Sequence, residues 1–164
     1  MKREYKPEID EDKIGMNPFT VGLKIPVSEQ ISSKYLVKER NVDVGLITVP
    51  AEMEFEASPY CKIFVDANRR KRVTDLSARA KDLLIWVVYE VDAGKGWVWI
   101  NRVRYMEANR VHSVNTYRGA LKELIANGFL SGTIFTSTYW INPDILFNGS
   151  RIKKFQENLS YKRK

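Results

Sequence analysis

The spacing of apolar residues changes period once along this chain, after Val65, and that change limits the fold more than any single motif. Upstream the texture is strand-like: Val21-Gly22-Leu23-Lys24-Ile25, the run 42–49, the alternating Glu52-Met53-Glu54-Phe55-Glu56, and the run 61–65. Alternation with period two, with Pro26, Pro50 and Pro59 between the runs, is the pattern of short strands. A short helix is expected over 31–40. Downstream, Leu76, Ala80, Leu83, Leu84, Val87, Val88 and Val91 recur at helical spacing and form one apolar stripe of about four turns. Thr74 or Ser77 can cap its start, and Asp92-Ala93-Gly94-Lys95-Gly96 stops it. The 164 residues suffice for one core of ordinary size. The expected class is α+β. Its parts are a flexible arm over 1–18, a strand-rich region over 19–72, a compact helical unit over 73–150 and a basic tail over 151–164.

Beyond the first helix, the pattern predicts a short strand at 97–101, a brief helix at 102–109, and a helix from Ser113 to about Asn127 with Gly128 just past its end. Two strands, 129–135 and 138–141, follow around a tight turn at Thr136-Ser137, and Asn142-Pro143 closes the second. Helix, strand, helix, helix, strand, turn, strand is the order of a winged helix, the helix-turn-helix variant with a β-hairpin wing. In the third helix, Val114, Tyr117, Leu121, Leu124 and Ile125 fall on one face, with Phe129 beyond the cap. The opposite face carries Asn115, Thr116, Arg118, Gly119 and Lys122. Such groups can meet base edges or phosphates: arginine pairs bidentately with guanine and asparagine with adenine. Gly119 costs about 1 kcal/mol of helix propensity, which points to a packing reason or a close contact at that position.

The segment Ser113-x-x-Thr116-Tyr117-Arg118-x-Ala120-Leu121-x-x-Leu124, ending in Gly128-Phe129-Leu130, resembles the recognition helix of many bacterial winged-helix proteins. Tyr139-Trp140-Ile141-Asn142-Pro143, followed by Leu146-Phe147-Asn148-Gly149-x-Arg151, resembles the end of the wing in the RepL family of plasmid and phage replication proteins. The likeness covers roughly 74–155. It implies binding to an origin in double-stranded DNA and recruitment of host replication proteins, in the cytoplasm of a bacterial host cell. A winged-helix transcriptional regulator is the nearest alternative. A homodimer on two half-sites is compatible with such a unit. One departure stands out: the wing, 131–142, holds no Lys or Arg.

Charge agrees with a polyanionic partner. Residues 1–60 hold 8 Lys/Arg against 11 Asp/Glu, a net of −3, and 61–164 hold 19 against 9, a net of +10. Candidate phosphate contacts are Arg69, Arg70, Lys71 and Arg72 before the first helix, Arg102, Arg104 and Arg110 around the second, and His112 with Ser113 at the turn. Arg151, Lys153 and Lys154 open a tail with six basic residues and one acid, Glu157, expected to be mobile. A protein-docking module, with the acidic N-terminal region as its partner surface, is the alternative from another class.

Catalysis finds little footing. One cysteine, Cys61, and one histidine, His112, exclude disulfide frameworks and multi-Cys or multi-His metal sites. No glycine-rich phosphate loop is present. Asp43, Glu52, Glu54 and Glu56 could suggest a metal-dependent nuclease, but no lysine follows two residues after any of them. Alternating glutamates fit a solvated sheet face better. The expectation is a non-enzyme without cofactor or metal, neither exported nor membrane-spanning, since no apolar leader or 18-residue apolar run occurs.

Overall fold

The computed structural model describes residues 6–27, 62–63, 67–155 and 159–161. The fold is α+β. Its centre is a three-helix unit on a small antiparallel sheet: α3 (Ala78–Glu90), β3 (Trp97–Trp99), α4 (Arg102–Ala108), α5 (Val114–Ala126), β4 (Leu130–Gly132) and β5 (Thr138–Ile141). The strands are ordered β3-β5-β4, both pairings antiparallel, with Trp97 opposite Trp140 and Leu130 opposite Ile141. The preceding elements are α1 (Glu11–Ile14), a 3-10 turn (Pro18–Thr20), β1 (Ile25–Val27), β2 (Lys62–Ile63) and α2 (Ala67–Thr74). Those that follow are β6 (Leu146–Phe147), α6 (Arg151–Lys154) and β7 (Leu159–Tyr161).

The stripe of α3 buries as its spacing requires. Ala80, Leu83, Leu84 and Val87 face the core, and Ser77 is the cap, its Oγ accepting the Ala80 N–H at 3.2 Å. The stripe meets Tyr117, Ala120 and Leu124 of α5, Val98 of β3 and Ile100 just after it, Ile141 of β5, and Ile145, Leu146 and Phe147. Along β3 and β5 the side chains alternate between two faces. Val98, Tyr139 and Ile141 join this core, while Trp97, Trp99 and Trp140 face the other way.

That second face explains a departure from expectation. The arm does not trail. Ile14 is buried against Trp97 and Trp140, with Ile9 and Phe19 beside them. Asn17 is buried too and donates its amide to Ile141 O (3.0 Å) and Gly96 O (3.3 Å), joining the start of β3 to the end of β5. Two tryptophans on a sheet face present more apolar area than water tolerates cheaply, and the arm supplies the cover. A cavity of about 270 Å³ remains between Lys6–Ile9 and Trp97–Trp99, where Lys6 bonds Asp92 at 3.3 Å.

Other expectations shift. Val21-Gly22 is a turn, with Gly22 at φ +71°, so the strand begins later, at Ile25. The charge run at 69–72, placed before the first helix, lies inside a helix of its own, α2. The tail is not a free extension throughout: β7 pairs in parallel with β1, Ile25 opposite Leu159. The expected helix over 31–40, the runs 42–49 and 52–56, and Cys61 lie outside the described residues, and so do Asp43, Glu52, Glu54 and Glu56. Among the described residues no group of three His, Cys, Asp or Glu side chains is placed to hold a metal, and no helix is long and apolar enough to cross a membrane.

Candidate nucleic-acid interface

α5 is delimited by local chemistry at both ends. Ser113 Oγ accepts the Asn115 N–H at 3.2 Å, and Gly128, at φ +69°, turns the chain out of the helix. A Cβ at Gly128 would also sit 2.7 Å from Arg72 Nη2, so no other residue fits without displacing that guanidinium. Tyr117, Ala120 and Leu124 point inward and are buried. Ile125, expected on that face, is 40 % exposed at its edge.

The outward face is uninterrupted. Asn115, Thr116, Arg118, Gly119 and Lys122 are all exposed. A Cβ built on Gly119 meets nothing within 4 Å among the described residues, so the fold itself supplies no packing reason for a glycine there. Glu123, the carboxylate on α5, turns aside. It accepts the Ser77 N–H and Oγ–H, both at 2.6 Å, and these bonds hold its carboxyl below the usual carboxylate range.

The turn between α4 and α5 brings further groups to this side. Arg110 sits in the left-handed region at φ +51° and is exposed, as are His112 and Ser113, while Val111 between them is buried. Arg102, exposed at the start of α4, lies near enough to Tyr117 to favour its ionised form. Burial first, and then the neighbouring Tyr139 hydroxyl, outweigh that influence and push the Tyr117 hydroxyl well above the ordinary phenol range. Tyr139 is raised as well, by burial first. Both therefore stay neutral.

The remaining candidate cations divide. Arg70, Lys71 and Lys154 are exposed, and the Lys153 side chain lies outside the described residues. Four arginines are engaged by the chain itself. Arg69 grips Asp144 through Nε (3.2 Å) and Nη2 (2.5 Å). Arg72 donates to Asn127 O and lies 5.7 Å from the Phe129 ring centroid. Arg104 pairs with Glu90 (3.1 Å) over the Trp86 ring (5.4 Å). Arg151 donates to Pro143 O (3.0 Å), 3.9 Å from Asp144, and burial lowers its guanidinium pKa. These four brace the domain rather than extend from it. Sequence reasoning assigned no role to Ile134, which is 76 % exposed at the hairpin tip. The only sequence signal for Ile134 was an apolar residue beside the expected turn.

No protein-family model matches the chain, and neither curated proteins nor solved structures give a match.

Proposed function

We propose that the chain binds double-stranded DNA sequence-specifically, as a winged-helix protein whose α5 enters a major groove. The exposed face of α5 carries this conclusion: donors and acceptors at 115, 116, 118 and 122 surround a glycine that no neighbour among the described residues requires. Lys122, Arg118, Arg110 and Arg102 would neutralise phosphates or read bases, and Asn115 and Thr116 would meet base edges. The β3-β5-β4 hairpin sheet behind three helices supports the winged-helix assignment. A role in initiating plasmid or phage replication rests on the likeness of 139–151 to the RepL pattern.

Selection of bound sequences from random duplexes tests the proposal. A consensus, bound with a steep inverse dependence on salt, is the expected result. Absence of binding at low ionic strength overturns it in favour of a protein-docking module. The selected site then separates the two roles: an initiator's site supports autonomous replication of a linked plasmid, and a regulator's site overlaps a promoter.

A further inference from the structure

We propose that the cavity between the arm and the sheet is a binding site for a small primary amine, with the Lys6 ammonium as its occupant in cis. The site stands apart from DNA binding and shares no residue with the exposed face of α5.

Three acceptors converge on one ammonium at the edge of this cavity. Glu90 is the last residue of α3, so its carbonyl lies among those with no donor inside the helix and carries the partial negative charge of a helix C-terminus. Lys6 Nζ lies 3.3 Å from that oxygen, 3.3 Å from Asp92 Oδ1 and 3.8 Å from Glu90 Oε2. Arg104 pairs with the other carboxylate oxygen, Glu90 Oε1, at 3.1 Å, which fixes the carboxylate and leaves Oε2 to the ammonium. An ammonium has three donors and no acceptor, and this set of oxygens matches it. A quaternary cation has nothing to donate, and a guanidinium presents its donors in a planar fork.

The walls favour the same class of ligand. Trp97 and Trp99 line the cavity, and Glu8, Glu90 and Asp92 line it against Lys6 and Lys95. Lys95 Nζ lies 4.5 Å from the Trp97 ring centroid and 3.3 Å from Glu11, so an indole face here already receives a cation.

Lys6 holds the site without filling it. With its side chain in place about 270 Å³ remains, just under the roughly 300–1,000 Å³ of pockets for drug-sized molecules. Its contacts are longer than the roughly 2.7–2.9 Å of a tight charge-assisted bond, and its side chain is 44 % exposed. An ion pair of this kind contributes little, so a free amine can take its place by mass action. Lys6, tethered through the arm, competes with that amine at a fixed effective concentration. A purely structural ion pair would need neither the remaining room nor the indole walls.

The test titrates butylammonium into the full chain and follows the indole N–H resonances by NMR, with butanol and tetramethylammonium as comparators. Butanol has the same length without the charge, and tetramethylammonium has the charge without a donor. In the wild type, butylammonium should shift the Trp97 and Trp99 resonances saturably, and both comparators should bind more weakly. Lys6→Ala should bind butylammonium roughly fivefold more tightly, the scale of freeing acceptors from one exposed ion pair. Asp92→Asn keeps the shape of a half-exposed side chain and should melt as the wild type does, but it should weaken binding about tenfold by removing one charged acceptor. If Lys6→Ala loosened the arm, the comparison of wild type with Asp92→Asn would still decide. The absence of a saturable shift in both wild type and Lys6→Ala overturns the site, as does butanol binding equal to that of butylammonium. Affinity unchanged in Asp92→Asn overturns it too, and equal affinity of wild type and an intact Lys6→Ala overturns the role of Lys6. No DNA enters this titration, so its outcome and that of the DNA selection are independent.

Discussion

Arg118 and Gly119 sit side by side on the exposed face of α5 and separate what an interface residue does from what a structural one does. Arg118 is exposed among the described residues, so Arg118→Ala should leave stability within about 0.5 kcal/mol. It should weaken the preferred site by about 1–3 kcal/mol and relax base preference, as read by competition gel shifts. Gly119 makes a sharper case. Because an added Cβ meets nothing within 4 Å among the described residues, Gly119→Ala should stabilise the folded domain by about 0.5–1 kcal/mol in urea titrations. The same methyl should lower DNA affinity if a duplex packs closely there. Stability and binding moving in opposite directions would identify a glycine kept for an external partner. A gain in stability with unchanged affinity would remove that role.

At the scale of elements, α3 and α5 are joined by a clasp as well as by their shared core. Ser77 caps α3 and at the same time presents its N–H and Oγ–H to Glu123 of α5. Removing the cap in Ser77→Ala should cost about 1 kcal/mol. The pH dependence has a definite sign. Because these bonds hold Glu123 below its ordinary range, its stabilisation is fully present above the unfolded glutamate pKa of about 4.3. It is lost as pH falls below that value and through the folded one. Melting temperatures of wild type and Glu123→Gln should therefore differ at neutral pH and converge in acid. A difference that persisted unchanged into acid would mean that the carboxylate charge plays no part.

For the whole molecule, the arm is the informative piece. If residues 6–20 form part of the folded unit, truncating buried Ile14 to Ala should destabilise the entire domain by about 2–4 kcal/mol in a single cooperative transition. A loosely attached arm would yield less than about 0.5 kcal/mol. Global charge makes a separate prediction. Not every basic residue is available to phosphate, since Arg69, Arg72, Arg104 and Arg151 are taken up within the protein. Lys122→Ala should accordingly reduce the salt slope of DNA binding by about 1, and Arg104→Ala should act mainly on stability.

The helical unit was legible in the sequence because its signals are local: a 3.6-residue stripe from Leu76 to Val91, a serine before each of α3 and α5, and a glycine after α5. The outward set at 115, 116, 118, 119 and 122 followed from the same period, since fixing the buried face of a helix fixes the other. The arm was not legible, because Ile9, Ile14 and Phe19 follow neither helical nor strand spacing and their target exists only once Trp97 and Trp140 are paired in the sheet. Nor could a run of four cations reveal which would meet a carboxylate, when Asp144 reaches Arg69 from 75 positions away. Periodicity determines which face of an element is apolar, because burial acts on each residue through its neighbours along the chain. Which charges remain free and what covers the far side of the sheet were decided only in three dimensions, because both depend on partners distant in sequence.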